Sequence, residues 1–328
     1  MKSNKKISVI IPCYNGEKFI DRCMNSIFNQ DYSNIECIII DDGSIDRSRD
    51  EILRWKKKFE EKSWKLIYFY QENQGPSAAV NAGLKFVSGK YIILLDVDDE
   101  YLPGALKEKA EYLEKHKDVD VVRSNGWIIN GNHKYLFIYE DKEKKIEDVF
   151  TALVCGKTNN WAGSYMMRAD KLFEFYPDKE IYVSKYGQNL QLLLPLVYKR
   201  KCGFIDKPHM NYIKRENSLS RTQSKKKSLE NVNGYTDIRV HMVEQIIQDE
   251  SEREKMLENI SQLYWRSIME IADLNKDKKL MKSSYQELKN IVKPTIDDKI
   301  VYTRLNNPYL FWVLKVIRKI ENLVLLKQ

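Results

Sequence analysis

Three carboxylates, Asp96, Asp98 and Asp99, close a short apolar run, and their spacing suggests the chemistry this chain could do. The run, Tyr91-Ile92-Ile93-Leu94-Leu95, has no polar alternation, as expected of a strand covered on both faces in a parallel sheet. Groups just past the carboxyl end of such a strand sit where open α/β sheets bind ligands. Asp96 and Asp98 are two apart, so on an extended strand both point one way, and if the strand breaks they can still share a target. Converging carboxylates repel each other unless a cation lies between them. A hard divalent ion that also touches phosphate oxygens is the usual answer. The alternative is an acidic turn leading into a helix near Pro103.

The elements that must position these groups are legible upstream. Ile7-Ser8-Val9-Ile10-Ile11-Pro12 predicts a buried strand that runs into the loop Cys13-Tyr14-Asn15-Gly16. Phe19, Ile20, Cys23, Ile27 and Phe28 fall at helical spacing, which predicts a helix over 17–29. A strand over 36–40 ends in Asp41-Asp42-Gly43-Ser44, and a helix over 45–62 follows. The strand Leu66–Tyr70 turns through Gln71-Glu72-Asn73-Gln74-Gly75-Pro76 into a helix over 77–88. Strand and helix alternate with short connections, the signature of a parallel doubly wound α/β sheet. Right-handed crossovers bring the strand ends to one edge, so Tyr14-Asn15, Asp41-Asp42, Asn73-Gln74-Gly75 and Asp96-Val97-Asp98 share a crevice. No GxGxxG and no GxxxxGK[ST] follows the first strand, which argues against a dinucleotide-binding dehydrogenase and a P-loop NTPase.

These segments carry a resemblance. Val9-Ile10-Ile11-Pro12-Cys13-Tyr14-Asn15, Ile39-Ile40-Asp41-Asp42-Gly43-Ser44, Asn73-Gln74-Gly75 with Asn81-Ala82-Gly83, and Leu95-Asp96-Val97-Asp98-Asp99 resemble, in order, the motifs of the family 2 GT-A glycosyltransferases. The resemblance implies a GT-A α/β domain and transfer of a sugar, with inversion, from a nucleotide diphosphate donor, UDP expected. It implies that Pro12, Tyr14 and Asp42 frame the base, with Asn15 and Asp41 beside them, and that Asn73, Gly75 and Asn81 line the nucleotide pocket. Asp96 would face the ribose or diphosphate, Asp98 would bind the metal (manganese or magnesium), and Asp99 joins the catalytic group. Structural readings stand beside these: Pro12 ends a strand, Asp41 caps the next helix, Gly83 allows close helix packing. Many relatives place an Arg just before the Asn of Asn81-Ala82-Gly83, and here Val80 stands there.

Residues 106–222 form the acceptor half of the domain in this reading. A helix over 107–117, a strand over 119–122 and a hairpin around Asn130-Gly131-Asn132 are predicted. Trp161 is either a stacking platform for an acceptor sugar or a core residue. Gln188 and Asn189 stand where the resemblance places Glu-Asp at the start of a helix, the Asp being the general base. An amide cannot take the proton of an attacking alcohol, a service worth about 10²–10⁴-fold. Three explanations stay open: another carboxylate such as Asp178 or Glu180 is the base, the acceptor is unusually acidic, or the chain is a nucleotide-sugar-binding pseudoenzyme that supports a partner. His209 reads as a surface histidine. Cys202–Pro208 and the Tyr-x-x-Arg-x-x-Ser segment Tyr212–Ser218 resemble the strand and the segment that the family places after its base.

Composition fits this picture. Hydrophobic residues at 43% and charged residues at 31% of 328 suffice for a sizeable core, here divided as a domain over 1–222 and a helical region over 223–328. The net charge of +8 leans toward anionic partners such as nucleotide phosphates or a membrane face, and does not by itself suggest nucleic acid. Five cysteines (13, 23, 37, 155 and 202), with no CxxC pair, read as buried thiols of a reducing compartment, so the cytoplasm is the expectation. After Ser224 the pattern turns helical over 239–248, 252–274 and 281–292. Residues 308–328 form an aromatic-headed, basic amphipathic stretch, which suits a helix lying on an anionic membrane surface, with packing on the core or on a second copy in a homodimer as the alternative. Membrane contact would suit a glycan or polyprenol-linked acceptor in bacterial surface polysaccharide assembly.

Overall fold

The first strand, β1 (Ile7–Cys13), forms from an apolar run interrupted only by Ser8, and Ile7, Val9, Ile10 and Ile11 are all buried. The computed structural model describes residues 5–214 and 224–325. After β1 come α1 (Glu17–Phe28), β2 (Ile35–Asp42), α2 (Ser48–Glu61), β3 (Lys65–Gln71), α3 (Pro76–Lys85) and β4 (Tyr91–Leu94). β1 pairs in parallel with β2 on one side and β4 on the other, and β3 continues the parallel set beyond β2. Their carboxyl ends therefore lie on one edge, as the alternation of strand and helix requires.

The second half of the sheet reverses direction. β5 (Glu100–Tyr101), α4 (Ala105–Lys115), β6 (Val119–Asn130) and β7 (His133–Leu136) are followed by α5 (Asp141–Lys144) and α6 (Val149–Val154). Then come β8 (Tyr165–Arg168), α7 (Ala169–Phe175), α8 (Gln188–Val197) and β9 (Lys201–Ile213). The sheet runs β3-β2-β1-β4-β8-β6-β9-β5, with β7 paired to β6. β8 is antiparallel to both β4 and β6, β9 is parallel to β6, and β5 is antiparallel to β9. The expected hairpin is present: Asn130 pairs with His133 across a turn in which Gly131 adopts φ 58°. This is a GT-A-type mixed sheet.

The chain divides into two compact units, Met1–Ser218 and Leu219–Gln328. In the second, α9 (Lys225–Ile246), α10 (Glu250–Leu274), α11 (Lys278–Ile291), α12 (Ile296–Asn306) and α13 (Pro308–Leu325) follow one another. Side chains at the N-caps Ser224, Asp249, Asp277 and Thr295 accept from backbone N–H groups of the first turn, so each helix start is fixed locally. α9 starts well before the predicted 239, and α12 was not predicted. Met269, Ala272, Met281 and Leu288 form the core of this unit, and Arg266 holds the capping carboxylate Asp298 at 2.9 and 3.1 Å. No helix among the described residues is long and apolar enough to cross a membrane. The Arg215 and Ser218 of the expected Tyr-x-x-Arg-x-x-Ser segment, and residues 326–328 of the amphipathic stretch, lie outside the described residues.

Cys13, Cys23 and Cys37 are buried in the first unit, Cys155 and Cys202 are half-buried, and all five are free thiols. Burial pushes the Cys13 thiol up to about 12.

Candidate active site

β4 stops at Leu94, and the last ladder bond past it runs from Leu95 N to Ile10 O at 3.0 Å. The chain then turns, with Asp99 N donating to Asp96 O at 2.9 Å, so the carboxylates gather by a break in the strand and not by extended alternation. Carboxylate oxygens of Asp96, Asp98 and Asp99 all lie within 4.8 Å of one another. Asp99 is 1% exposed; its Oδ1 accepts from Ile213 N at 2.9 Å, and its Oδ2 is buried with no hydrogen-bond partner. Burial, then the charges of Asp96 and Asp98, push its carboxyl well above the usual range. A buried orphan oxygen among like charges is costly unless something positive completes it, and an all-oxygen donor set suits a hard divalent cation. The residues therefore fit such an ion, with Asp98 and Asp99 as ligands and Asp96 beside them.

Sequence reasoning missed what holds this turn. The Arg22 guanidinium of α1 donates to the backbone carbonyl of Asp98, and its Nε lies 3.7 Å from Glu100 Oε2. Glu100 Oε1 accepts from Asn211 Nδ2 at 2.6 Å. The acidic turn is thus clamped by α1 on one side and by β9 on the other. No motif marked Arg22; its place on α1 facing the β4 turn is tertiary.

The other strand ends are stitched together. Asn15, at φ 51°, donates its N–H to Ser44 Oγ at 2.9 Å, and its Oδ1 accepts from Ile45 N at 3.0 Å. Gly16 N donates to Ser48 Oγ at 2.7 Å. Asp41 accepts from Ser44 N and from the Tyr68 hydroxyl, each at 2.9 Å. It does not cap α2, whose N-cap is Arg47 with no side-chain cap; Asp46, one residue earlier, accepts from Ser48 N at 3.0 Å. Asp42 Oδ1 accepts from Gln71 Nε2 at 2.8 Å and Gln74 N at 2.9 Å, and its Oδ2 from Gly75 N at 2.8 Å. Four lone-pair sites meet three donors here, so Asp42 shapes the pocket wall and retains one acceptor position on Oδ2. Pro12 is half-buried, while Tyr14 and Asn73 are exposed at the mouth. Gly75 supplies φ 91° with ψ 173°, backbone that glycine alone adopts readily.

Asn81 is turned elsewhere. Its Nδ2 donates to Ile181 O at 2.9 Å and its Oδ1 accepts from Ile181 N at 2.8 Å, so its side chain pins the segment before α8. Val80 is fully buried, and a Cβ on Gly83 would meet Ile10 Cγ2 at 2.6 Å, which bears out close helix packing at that glycine.

Across the sheet in β8, Met166 pairs with Ile93, so Tyr165 stands opposite the end of β4, next to the acidic turn. Its hydroxyl donates to Asn189 Oδ1 at 2.8 Å. Burial, then the Asp96 charge, push the Tyr165 phenol well above its ordinary value, so it keeps its proton. Asn189 and Gln188 thus stand in the first turn of α8, after Gly187 at φ 70°, with Asn189 held by Tyr165. Trp161 stacks on Tyr212 (5.4 Å, 11°) and meets Phe137 edge-on (4.1 Å, 61°), packed against the core and half-buried. His209 is not on the surface: it is fully buried, with Lys109 Nζ 3.3 Å from its Nδ1 and Glu108 Oε2 3.1 Å from its Nε2. β9 lays it against α4, so it plays no part in this pocket.

The glycosyl transferase family 2 model matches residues 8–173, half of the chain. The chain belongs to that family. The minor teichoic acid biosynthesis protein GgaB of Bacillus subtilis is 26% identical over 95% of this chain and 35% of its own length. Indeed the chain spans no more than about half the length of the curated relatives it matches. Among solved structures it is similar to residues 1–349 of S. aureus TarS in complex with UDP-GlcNAc (TM-score 0.61, 18% identity, 90% of each chain). It is also similar to the mannosyltransferase PcManGT of Pyrobaculum calidifontis in complex with GDP-Man and Mn2+ (TM-score 0.57, 12% identity, 98% and 88% covered). At these identities the likeness speaks to the fold.

In this member of the family, the loops at the ends of the parallel strands are tied to one another and the acidic turn is clamped at both ends. The hydrogen bonds from Ser44, Ser48 and Tyr68 leave few backbone groups of those loops to reorganise on binding, which is how a site is preorganised.

Proposed function

We propose that this chain is an inverting, metal-dependent transferase that moves a sugar from a UDP-sugar to a glycan or polyprenol-linked acceptor in bacterial surface polymer synthesis. One observation carries the metal-dependent reading: the buried, partnerless Asp99 Oδ2 within the Asp96-Asp98-Asp99 cluster at the carboxyl edge of the parallel strands. Asp98 and Asp99 would hold the cation, which when bound would supply positive charge against a diphosphate. Tyr14 and Pro12 flank the base, and the remaining acceptor position of Asp42 receives an imide N–H. Asn15, Asp41, Asn73 and Gly75 support the pocket by shaping its loops, and Trp161 contributes an aromatic face toward the acceptor. The GgaB likeness supports a cell-wall polymer as the destination, and the UDP-GlcNAc complex of TarS supports a UDP donor.

In this reading α13 works at an anionic membrane face. Tyr309, Trp312, Val316 and Ile320 follow one another at helical spacing and are 82%, 64%, 58% and 56% exposed, with Lys315 and Lys319 among them. The opposite side is engaged: Arg318 pairs with Asp297 at 2.7 Å and Arg304 lies over the Phe311 ring. Co-sedimentation with phosphatidylglycerol vesicles, lost in a Trp312→Glu/Val316→Glu variant, is the expected result. Salt-independent dimerisation without vesicle binding would instead make this face a contact between copies.

The decisive test is donor turnover. Purified protein is given UDP-, GDP- and dTDP-sugars with manganese, magnesium or EDTA, beside Asp98→Ala. Metal-dependent release of UDP, lost in the variant, is expected. Donor binding that shifts the melting temperature without release from any acceptor assay would favour the pseudoenzyme, for which Asn189 in place of a carboxylate is the motive. No binding of any nucleotide sugar ends the proposal.

A further inference from the structure

Among the described residues of the first unit two arginines are buried, and they are treated differently. Arg168 gives its Nε to Val119 O at 2.9 Å and its Nη2 to the carbonyls of Leu113 and His116 at 2.5 and 3.2 Å. Arg123, in β6 and 4% exposed, is only partly engaged. Its Nη1 donates to Thr158 Oγ1 at 3.0 Å and to Asn159 O at 3.3 Å. Its Nε is buried with no hydrogen-bond partner, and so is Nδ2 of the same Asn159. Among the described residues Arg123 forms no ion pair, and Glu143 is linked to it only through the Thr158 hydroxyl, which donates to Glu143 Oε1 at 3.1 Å. The Cys202 sulfur beside the guanidinium brings no charge, because burial pushes that thiol up.

A guanidinium does not shed its proton, so burial cannot neutralise it as it neutralises a lysine. A fixed positive charge and two orphaned N–H donors, on residues already in contact, lack the same thing: an acceptor that carries negative charge. The geometry points to a binding site for an oxyanion, a carboxylate or a phosphate ester, built by Arg123 with Asn159. Arg123 is opposite Tyr165 of β8 in the antiparallel register, so the two side chains share a face of the sheet. Tyr165 stands opposite the end of β4, which puts Arg123 level with that end and two strand spacings, about 10 Å, across the sheet from it. Entry is by the loop that follows α6: Gly156, at φ 64°, and Lys157 are exposed, and Thr158 and Asn159 are half-buried. A planar guanidinium suits either oxyanion, since its N–H groups match paired oxygens in direction as well as charge. The site goes beyond the donor reading above and uses none of its residues.

The test is a binding measurement on the full chain, in EDTA so that the acidic cluster holds no cation. Glucuronate and glucose 6-phosphate are titrated against glucose at constant ionic strength. The readout is the Nε–H nuclear magnetic resonance signal of Arg123 in protein labelled with 15N-arginine, assigned by its loss in Arg123→Lys. A saturable shift with an acid and none with glucose is expected, with the dissociation constant rising at least about tenfold in Arg123→Gln. Tighter binding of glucuronate names a uronate as the source of the oxyanion, and tighter binding of glucose 6-phosphate names a sugar phosphate. The comparison of acid with glucose needs only wild type, so a variant that folds poorly does not blunt it. Acids that bind no better than glucose, or equally well to Arg123→Gln, overturn the inference and leave Arg123 a structural residue satisfied by water. No donor and no turnover enter the measurement, so that result leaves the transferase reading standing.

Discussion

Lys109 gives the sharpest prediction. It is fully buried on α4, its Nζ is 3.3 Å from His209 Nδ1, and burial pulls its amine down from 10.5 to about 7. The folded value lies below the unfolded one, so between pH 7 and 10.5 the unfolded chain holds a proton that the folded chain lacks. Stability therefore rises with pH through that window, by up to about 1.4 kcal/mol per pH unit. From pH 7, where the folded lysine is half-protonated, to pH 8.5 the gain is about 1.5 kcal/mol. Higher pH is unsuitable, because the buried Cys13 and Cys37 thiols, both pushed up, oppose the trend once their unfolded counterparts ionise. Urea unfolding of wild type and Lys109→Met at steps between pH 7 and 8.5 isolates the lysine together with its contact to His209, since titrations elsewhere cancel in the difference. The variant leaves His209 Nδ1 without a donor and shifts absolute stability. The slope is the readout. Parallel stability curves for the two proteins would refute the idea that Lys109 sheds its proton on folding.

Three further perturbations concern the site. Asp99→Asn removes one of three crowded charges, so it should melt higher than wild type in EDTA yet lose the manganese-induced rise in melting temperature that wild type shows. Gly43→Ala should cost about 1–3 kcal/mol, because φ is +79° and the added Cβ would meet Asn73 N at 2.7 Å; Gly75→Ala, with open space around it, should cost only the backbone strain. Chemical denaturation ranks the pair, and equal costs would mean the Asn73 contact relaxes freely. Asn81→Ala deletes both hydrogen bonds to Ile181, so proteolysis between 176 and 187 should accelerate while circular dichroism stays unchanged.

The parallel half could be read because its strands are mostly apolar runs, interrupted only by the paired Ser8 and Glu36 and each followed by a polar cluster: Ile7–Cys13, Ile35–Asp42, Tyr91–Leu94. Burial on both faces writes itself into such a pattern. The antiparallel half does not behave this way. Tyr165–Arg168 is fully buried and closes on a charged residue, whose guanidinium is satisfied by the carbonyls of Val119, Leu113 and His116. Nothing local signals that a strand interior can hold an arginine. His209 misleads likewise, since Lys207 and Pro208 suggest a surface and only the register of β9 against α4 buries it. Asn81 sits in a ligand-binding motif, and its partner is 100 residues away. α12 carried a Thr295-x-x-Asp298 capping box, but its apolar residues are too scattered to form a recognisable stripe. Among the proposed site residues, those named by strand-end motifs are the ones the fold gathers. The clamp residues Arg22, Glu100, Ile213 and Tyr165 belong to other elements, and sequence spacing says nothing about them.

The five free thiols make the protein its own clock. Cys155 is half-exposed and should react first with a maleimide, marking the time at which reagent arrives, while burial pushes the Cys202 thiol up and slows it. Cys23 on α1 and Cys37 within β2 are buried and become available only when the parallel half opens, so their labelling measures the opening rate of that half. Cys13 closes β1 beside the loop that follows it, where its sulfur would lie 2.7 Å from a Cβ placed on Gly16. A ligand that settles on that loop should delay Cys13 alone, so one mass spectrum taken over time separates local breathing of the donor loop from unfolding of the sheet beneath it.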